Sequence, residues 1–245
     1  MRLLLLAAAV QQIIAPALIG TPGTSPLSDV ATRTPMQPAI WAFTIWAPIY
    51  LGALALGIWQ SFGAGRNEPA LTRVRLPLIG LYLGSTVWLI AAASPAKWLT
   101  PPILWAMVAL ALTAMLRLAR LARPAAPLSR ATKLIAGWPT ALYAGWVGAA
   151  AFVNSATIGP AYGLGTAGLG TEGLAVALII AAAVLAIAVT VASRGALAYV
   201  LAVVWALAGI IYANAHGSLD VMFAATGAAV LLLATLLAVR RARRA

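Results

Sequence analysis

Residues 41–60 form an uninterrupted run of 20 residues without a charged side chain. A helix rises about 1.5 Å per residue, so a run of this length spans a hydrocarbon core of about 30 Å. Over the whole chain of 245 residues, 63% are hydrophobic and 8% are charged. This composition excludes an ordinary soluble domain and predicts an all-α polytopic membrane protein.

Seven further apolar runs bring the prediction to about eight transmembrane helices. The predicted spans are residues 3–20, 41–60, 76–93, 101–121, 134–158, 174–192, 196–213 and 219–239. The first run follows Arg2 and ends near small residues, a pattern that resembles a cleavable signal peptide. Its length of about 18 residues favours a retained helix.

The basic residues predict the orientation of the chain, because Lys and Arg collect in cytoplasmic loops. An even number of spans places both termini on one side of the membrane. With the N-terminus in the cytoplasm, 14 of the 16 basic residues are cytoplasmic, and only Arg33 and Lys97 fall outside. Both termini are therefore predicted to be cytoplasmic, and the expected location is the bacterial inner (cytoplasmic) membrane. The net charge of +12 is attributed to contact with anionic lipid headgroups rather than with nucleic acid.

A change of composition divides the chain at residues 159–173, which contain six glycines. Eight of the nine tryptophans precede this segment, and only Trp205 follows it. The predicted organisation is a five-helix transmembrane domain at 1–158, a flexible outer loop at 159–173 and a three-helix extension with a basic cytoplasmic tail at 174–245.

Two deep aromatic residues, Trp46 and Tyr50, share one face of the second predicted span. Interfacial aromatic belts account for Trp41 and Trp59 at the ends of that span, but not for rings at this depth. Two interpretations remain. The deep rings fill a helix-packing core, which is the commoner arrangement, or they line a pocket for a flat apolar ligand.

The order Trp, Phe, Trp, Tyr on the second span, preceded by Pro35 and Pro38, resembles the second helix of the TspO family of tryptophan-rich sensory and mitochondrial translocator proteins. A second match lies at residues 143–154, where a Tyr, a Trp and an Asn have the order of that family's fifth helix. The chain is similar to a long form of the family with extra C-terminal helices. The resemblance covers about the first 158 residues and implies a TspO-like five-helix bundle.

The resemblance also implies a cavity that binds a flat apolar ligand, with a porphyrin or haem as the candidate. The expected ligand contacts are Trp41, Phe43, Trp46, Tyr50, Ser85, Trp88, Tyr143, Trp146 and Asn154. The chain departs from the family pattern at three places. Alanines replace a Phe pair after Trp88, one residue fewer separates Phe43 from Trp46, and the stretch after Asn154 lacks the residues proposed for sterol contact. Sterol binding is therefore not supported, and interhelical hydrogen bonding explains Asn154 as well as ligand contact does.

The remaining polar residues give little support for a catalytic or metal site. The chain has no Cys, one His and four carboxylates, so neither an acid/base pair nor a metal-ligand set is evident, and the chain is not predicted to be an enzyme. Near His216, the simplest interpretation is that Ser218 caps the last helix and Asp220 complements its dipole. Gly80 and Gly84 form a Gly-x-x-x-Gly pair, a pattern that occurs at helix-dimer faces and also by chance in glycine-rich membrane chains.

Three functions fit these observations. The resemblance favours a membrane ligand-binding or sensory protein of the TspO type. An uncoupled small-molecule permease is the first alternative, because the spans lack the mid-membrane ionisable groups of coupled transporters. A structural subunit of a larger membrane complex is the second, because small-residue faces suit helix packing. The expected partners are the lipid bilayer, a tetrapyrrole or other apolar small molecule, and a second copy or a membrane complex.

Overall fold

The structure is a computed structural model that describes residues 1–19, 34–121 and 128–243. Within these ranges the chain forms helices and turns without strands. Eight helices are long and apolar enough to cross a membrane, which confirms the predicted all-α polytopic fold. They are α1, Arg2–Ile19; α2, Trp46–Phe62; α3, Arg75–Ala92; α4, Thr100–Leu121; α5, Trp138–Ala161; α6, Gly170–Ala192; α7, Leu197–Asn214; and α8, Leu219–Ala242.

The spans that begin with a turn of different helical geometry include α2 and α5. A 3₁₀ turn, Ile40–Ile45, precedes α2, and a π-helical turn, Thr132–Gly137, precedes α5. Each turn is followed within three residues by a proline, Pro48 or Pro139, which has no amide proton to donate to the preceding turn. The regular hydrogen-bond ladder of the helix therefore does not extend back through these turns.

Helix α5 lies at the centre of the bundle and contacts α2, α4, α6 and α7. Fourteen of its 24 residues are buried. Its small residues let neighbouring backbones approach closely. A Cβ atom at Gly145 would overlap the carbonyl oxygen of Tyr199 and lie 2.8 Å from the Cβ of Ala202, both on α7. The close approach of α5 to α7 therefore requires a residue without a side chain at position 145.

The Gly-x-x-x-Gly pair packs within the chain. A Cβ atom at Gly80 would lie 3.0 Å from Leu110, and one at Gly84 would lie 2.8 Å from Met107, both on α4. The pair is therefore an internal surface between α3 and α4, and it gives no support to a homodimer.

Helix α1 packs against α2 and α3. Its buried face consists of Leu5, Ala8, Ala9, Gln12 and Ala15. The close contact with α2 depends on Gly57, where a Cβ atom would lie 3.0 Å from Leu6. The first helix is thus an integral layer of the bundle described here.

Hydrogen bonds to backbone oxygens join segments at the two ends of the bundle. At one end, arginine side chains donate from Arg2 to Arg66, from Arg117 to Arg73 and from Arg243 to Arg194. At the other end, Asn214 Nδ2 donates to the Pro35 oxygen at 2.7 Å. These three bonds join arginine-bearing segments that the sequence assigns to the cytoplasm. Which end faces the cytoplasm stays a prediction, and Arg33, Arg123 and Arg244 lie outside the described residues.

The last three helices contact the first five mainly through α7, which packs along α5 and against the 3₁₀ turn before α2. Ala39 donates its amide to the Gly209 oxygen at 3.0 Å, and Trp205 Nε1 donates to the Ala42 oxygen at 2.8 Å. Helix α8 packs on α6 and α7. The division at residues 159–173 into two units stays a prediction.

The capping predicted at α8 is wrong in one respect. Ser218 occupies the N-cap position, but its side chain makes no capping hydrogen bond, and its Oγ is buried without a partner. Asp220 lies in the first turn, as predicted, where a carboxylate complements the helix dipole. In the described part of the chain, no group of three or more His, Cys, Asp or Glu side chains could hold a metal ion.

Candidate functional site

Six of the nine predicted ligand contacts belong to one cluster of buried and half-buried side chains between the start of α2, the middle of α3 and the first half of α5. We call this group the aromatic cluster, and it comprises Phe43, Trp46, Tyr50, Ser85, Tyr143 and Trp146. The proline-interrupted starts of α2 and α5 bring the ring-bearing turns of these helices side by side. Gly52 on α2 makes this possible, because a Cβ atom there would lie 2.6 Å from Pro139 on α5.

Ring-to-ring contacts hold the aromatic cluster together. The Trp46 ring centroid lies 5.2 Å from that of Tyr50 and 5.8 Å from that of Tyr143. It also lies 6.1 Å from the Trp146 centroid, and Phe43 lies 5.7 Å from Trp146 on another side. The contacts of Tyr143 and Trp146 in this set are edge-to-face, with interplanar angles of 86° to 88°, an arrangement that aromatic quadrupoles favour.

A tyrosine and a glutamine that the sequence analysis missed complete the cluster. Tyr82 on α3 stacks on Tyr143 with 5.9 Å between centroids and 12° between planes. Gln12 on α1 is fully buried, and its Oε1 accepts a hydrogen bond from the Tyr143 hydroxyl at 3.2 Å. Ser85 lies close enough to interact with the hydroxyl groups of both Tyr50 and Tyr143. The cluster thus has a polar side formed by phenol, hydroxyl and amide groups.

The neighbouring Gln11 fixes α1 against α3. Its Nε2 donates to the Tyr82 carbonyl oxygen at 2.9 Å, and its Oε1 accepts from the Thr86 hydroxyl. The sequence does give a signal for Gln11 and Gln12, because two adjacent amide side chains inside an apolar span are costly unless they are hydrogen-bonded. The pairing partners, on helices far apart in the chain, carry no such signal.

Four buried hydrogen-bonding groups near these residues have no partner in the described structure. They are Gln12 Nε2, Trp88 Nε1, Thr140 Oγ1 and Trp146 Nε1. Trp88 is one turn beyond Ser85 on α3, and Thr140 is one turn before Tyr143 on α5. A buried donor without a partner costs about 1 to 3 kcal/mol, so an acceptor brought by a ligand would be stabilised here.

The two remaining predicted contacts have their partners elsewhere. The Trp41 ring lies 5.0 Å from Trp205 and 6.0 Å from Tyr212, both on α7. Asn154 lies about two turns beyond Trp146 along α5, and its Oδ1 accepts from the Thr100 hydroxyl on α4 at 2.9 Å. This bond is the interhelical role that the sequence left open beside ligand contact.

The similarity of the chain to a known family extends over nearly its whole length. A family model described as TSPO-like protein matches residues 2–238. The chain belongs to the TSPO-like family. The match includes α6 to α8, so membership extends beyond the first 158 residues to which the sequence analysis limits the resemblance. No curated protein and no solved structure matches the chain.

In this TSPO-like protein, a small cavity of about 30 Å³ lies apart from the aromatic cluster, between α5, α6 and α7. Its lining is apolar and includes Gly148, Phe152, Ile179 and Tyr199, but none of the nine predicted ligand contacts. A cavity of this size holds about one water molecule. In the aromatic cluster the rings contact each other directly, so a flat ligand placed between them must separate them.

The groups of the aromatic cluster are suited to recognition of a ligand. They are aromatic faces, hydroxyls and indole or amide N–H donors. Such groups stack on flat apolar molecules and donate hydrogen bonds to their polar edges. The named members of the cluster include no imidazole, thiol or carboxylate that could act as an acid, base or nucleophile.

Proposed function

We propose that this TSPO-like membrane protein is a ligand-binding or sensory protein that takes a flat apolar ligand, such as a porphyrin or haem, at the aromatic cluster. The observation that carries the proposal is that clustered rings and unpartnered buried donors occur together. A purely structural ring cluster needs no spare donors, and buried indole N–H groups usually find a partner. Here Trp146 Nε1 and Gln12 Nε2 are both buried without one.

The ligand class follows from the two kinds of group. Rings that meet edge-to-face present faces on which a planar ligand can stack once they separate. The unpartnered donors can bond to ring nitrogens or to carboxylate groups at the ligand's edge. Of these two, the bond to an ionised carboxylate is the stronger, because it is charge-assisted. A porphyrin offers a planar apolar body together with both kinds of acceptor.

The proposed contact set is centred on Trp46 and Trp146. In the proposal, Phe43, Tyr50, Ser85, Trp88 and Tyr143 surround the ligand, and Trp41 and Asn154 stand at its margin. The ligand is bound rather than transformed, so the proposed role is not enzymatic. The proposed site of action is the bacterial inner membrane, with both termini in the cytoplasm.

A fluorescence titration of the purified full-length protein with protoporphyrin tests the proposal. Saturable quenching of tryptophan emission is expected in the parent. Trp146→Ala should weaken binding by about 1 to 3 kcal/mol, the scale of losing an aromatic partner in a buried site. Trp105→Phe is a matched control, because Trp105 contacts Phe152 at 4.9 Å and bonds Ser155 outside the aromatic cluster.

Thermal melts of the same variants separate a pocket from a packed core. If the rings are only core, Trp146→Ala should cost about 3 to 5 kcal/mol of stability, without any saturable ligand effect on the parent. Unsaturable quenching in the parent would refute the receptor proposal. Measurement of porphyrin flux into proteoliposomes tests the alternative of an uncoupled facilitator. A permease should carry porphyrin across the membrane, whereas the proposed receptor should show no flux.

A further inference from the structure

One arginine at the arginine-rich end of the bundle is buried and incompletely paired. Arg75 is the first residue of α3 and is 8% exposed. Its Nε donates to Gln60 Oε1 on α2 at 2.9 Å, while its Nη2 is buried without a partner. A guanidinium removed from water is costly unless an anion compensates its charge.

No carboxylate in the described structure supplies that anion. Glu68 belongs to the same connection between α2 and α3, but both of its oxygens have other partners. Its Oε1 accepts from the Ala70 amide at 3.4 Å, and its Oε2 accepts from the Thr132 hydroxyl at 2.7 Å. The described residues contain no ion pair with Arg75, so its charge stands uncompensated by protein.

A second arginine adds to the positive charge at this position. Arg2 interacts electrostatically with Arg75, and its side chain donates to the Arg66 carbonyl oxygen. Two like charges held close together oppose the folded arrangement unless an anion lies between or beside them. Their apposition is therefore unfavourable in the protein alone.

The local structure holds these arginines in place. Gln60 is fully buried, and its Nε2 donates to the Arg2 carbonyl oxygen at 3.5 Å while its Oε1 holds Arg75. Ser61 donates to the same Arg2 oxygen at 3.3 Å. One buried amide thus links the backbone of α1 to the guanidinium of α3, which preorganises the pair before any ligand arrives.

We infer that Arg75 and Arg2 form a binding site for a phosphate group. Guanidinium groups recognise phosphate through charge-assisted and often bidentate hydrogen bonds. The phosphate compensates the charge of Arg75 and removes the repulsion between the two arginines. At the end of a membrane bundle, its source is the headgroup of an anionic lipid or a free phosphate in solution, and both present the same chemistry. This site is separate from the aromatic cluster and does not depend on the function proposed for it.

The test uses the full-length protein in a neutral, phosphate-free detergent. Native mass spectrometry measures retention of phosphatidylglycerol, with phosphatidylcholine as the reference lipid. Thermal melts compare inorganic phosphate with chloride at equal ionic strength. We expect the parent to retain one phosphatidylglycerol molecule tightly. We also expect the phosphate-bearing probe to raise the melting temperature of the parent above its value without that probe. Arg75→Gln and Arg2→Gln should each weaken binding about tenfold, the scale of a lost charge-assisted hydrogen bond.

Arg73→Gln is the matched control, because it removes the same charge two residues from Arg75 but from an exposed side chain. It should bind phosphatidylglycerol as the parent does. Arg75→Lys keeps the charge without the guanidinium fork and should bind with intermediate strength. If Arg75→Gln fails to fold, Arg2→Gln still tests the site, because it leaves the bond between Arg75 and Gln60 intact.

The arms of the experiment identify the source of the phosphate. Stabilisation by phosphatidylglycerol alone assigns a lipid headgroup, and equal stabilisation by inorganic phosphate assigns a site for the free ion. Equal weakening by Arg73→Gln and Arg75→Gln would overturn the inference, since it would show only general attraction to the basic surface. Lack of any effect of either probe on the parent would also overturn it.

Discussion

The Tyr143 hydroxyl on α5 donates a hydrogen bond to Gln12 Oε1 on α1, with 3.2 Å between the two oxygens. Both residues are buried, and 131 positions of sequence separate them. The bond joins the first helix to the central one and closes one side of the aromatic cluster. The first helix is therefore a component of the candidate site, although none of its residues belongs to the predicted contact set.

Removal of either partner of this bond should destabilise the protein. We expect Tyr143→Phe and Gln12→Leu each to cost about 1 kcal/mol of unfolding free energy, the scale of an interhelical hydrogen bond in a membrane. The double variant should cost less than the sum, because no buried polar group is then left unpaired. Equilibrium unfolding in mixed detergent measures all three. Strictly additive costs would show that the two side chains are not coupled.

The close approach of α5 to α7 should make Gly145 intolerant of a side chain. Gly145→Ala forces a methyl group into the Tyr199 carbonyl and Ala202, and overpacking of this kind costs about 1 to 3 kcal/mol. Gly148→Ala on the same helix is the control, because no atom lies within 4 Å of its added Cβ. That control should gain up to about 1 kcal/mol from helix propensity. Similar melting temperatures for the two variants would contradict the close approach of α5 to α7.

The bond between Asn154 and Thr100 separates a packing role from a ligand role. Asn154→Ala and Thr100→Val break the same bond, so both should lower stability by about 1 kcal/mol. In the proposed site the Asn154 amide also contacts the ligand, so only Asn154→Ala should weaken protoporphyrin binding. Titrations of the two variants in parallel measure this difference. Equal affinities would remove Asn154 from the proposed contact set.

The distribution of basic residues predicts opposite sides for the α2–α3 connection and the glycine-rich loop. Reporter fusions after Arg66 and after Gly165 should therefore report cytoplasmic and external locations, respectively. Fusions at both termini should report the cytoplasm. Labelling of both positions from outside would refute the eight-span topology.

The sequence by itself determined the number and approximate bounds of the membrane helices. Hydropathy is a local property, and a helix in lipid satisfies its backbone hydrogen bonds internally, so a sufficiently long apolar run specifies its own secondary structure. The spacing of Trp46 and Tyr50 likewise places both on one helix face, because that spacing is close to one helical turn. The 3₁₀ and π-helical starts of α2 and α5 were not predicted, although Pro48 and Pro139 mark where regular bonding begins.

The tertiary structure alone decided which faces meet. Gly80 and Gly84 could have faced a second copy, but they receive Leu110 and Met107 of the same chain. The buried partners of Gln12 and Arg75 lie on other helices, and no local pattern connects residues on separate helices. Lipid is as apolar as the helix surfaces, so hydropathy does not select one pairing of helices over another. Close packing at small residues and the pairing of buried polar groups make that selection, and both are properties of the assembled bundle.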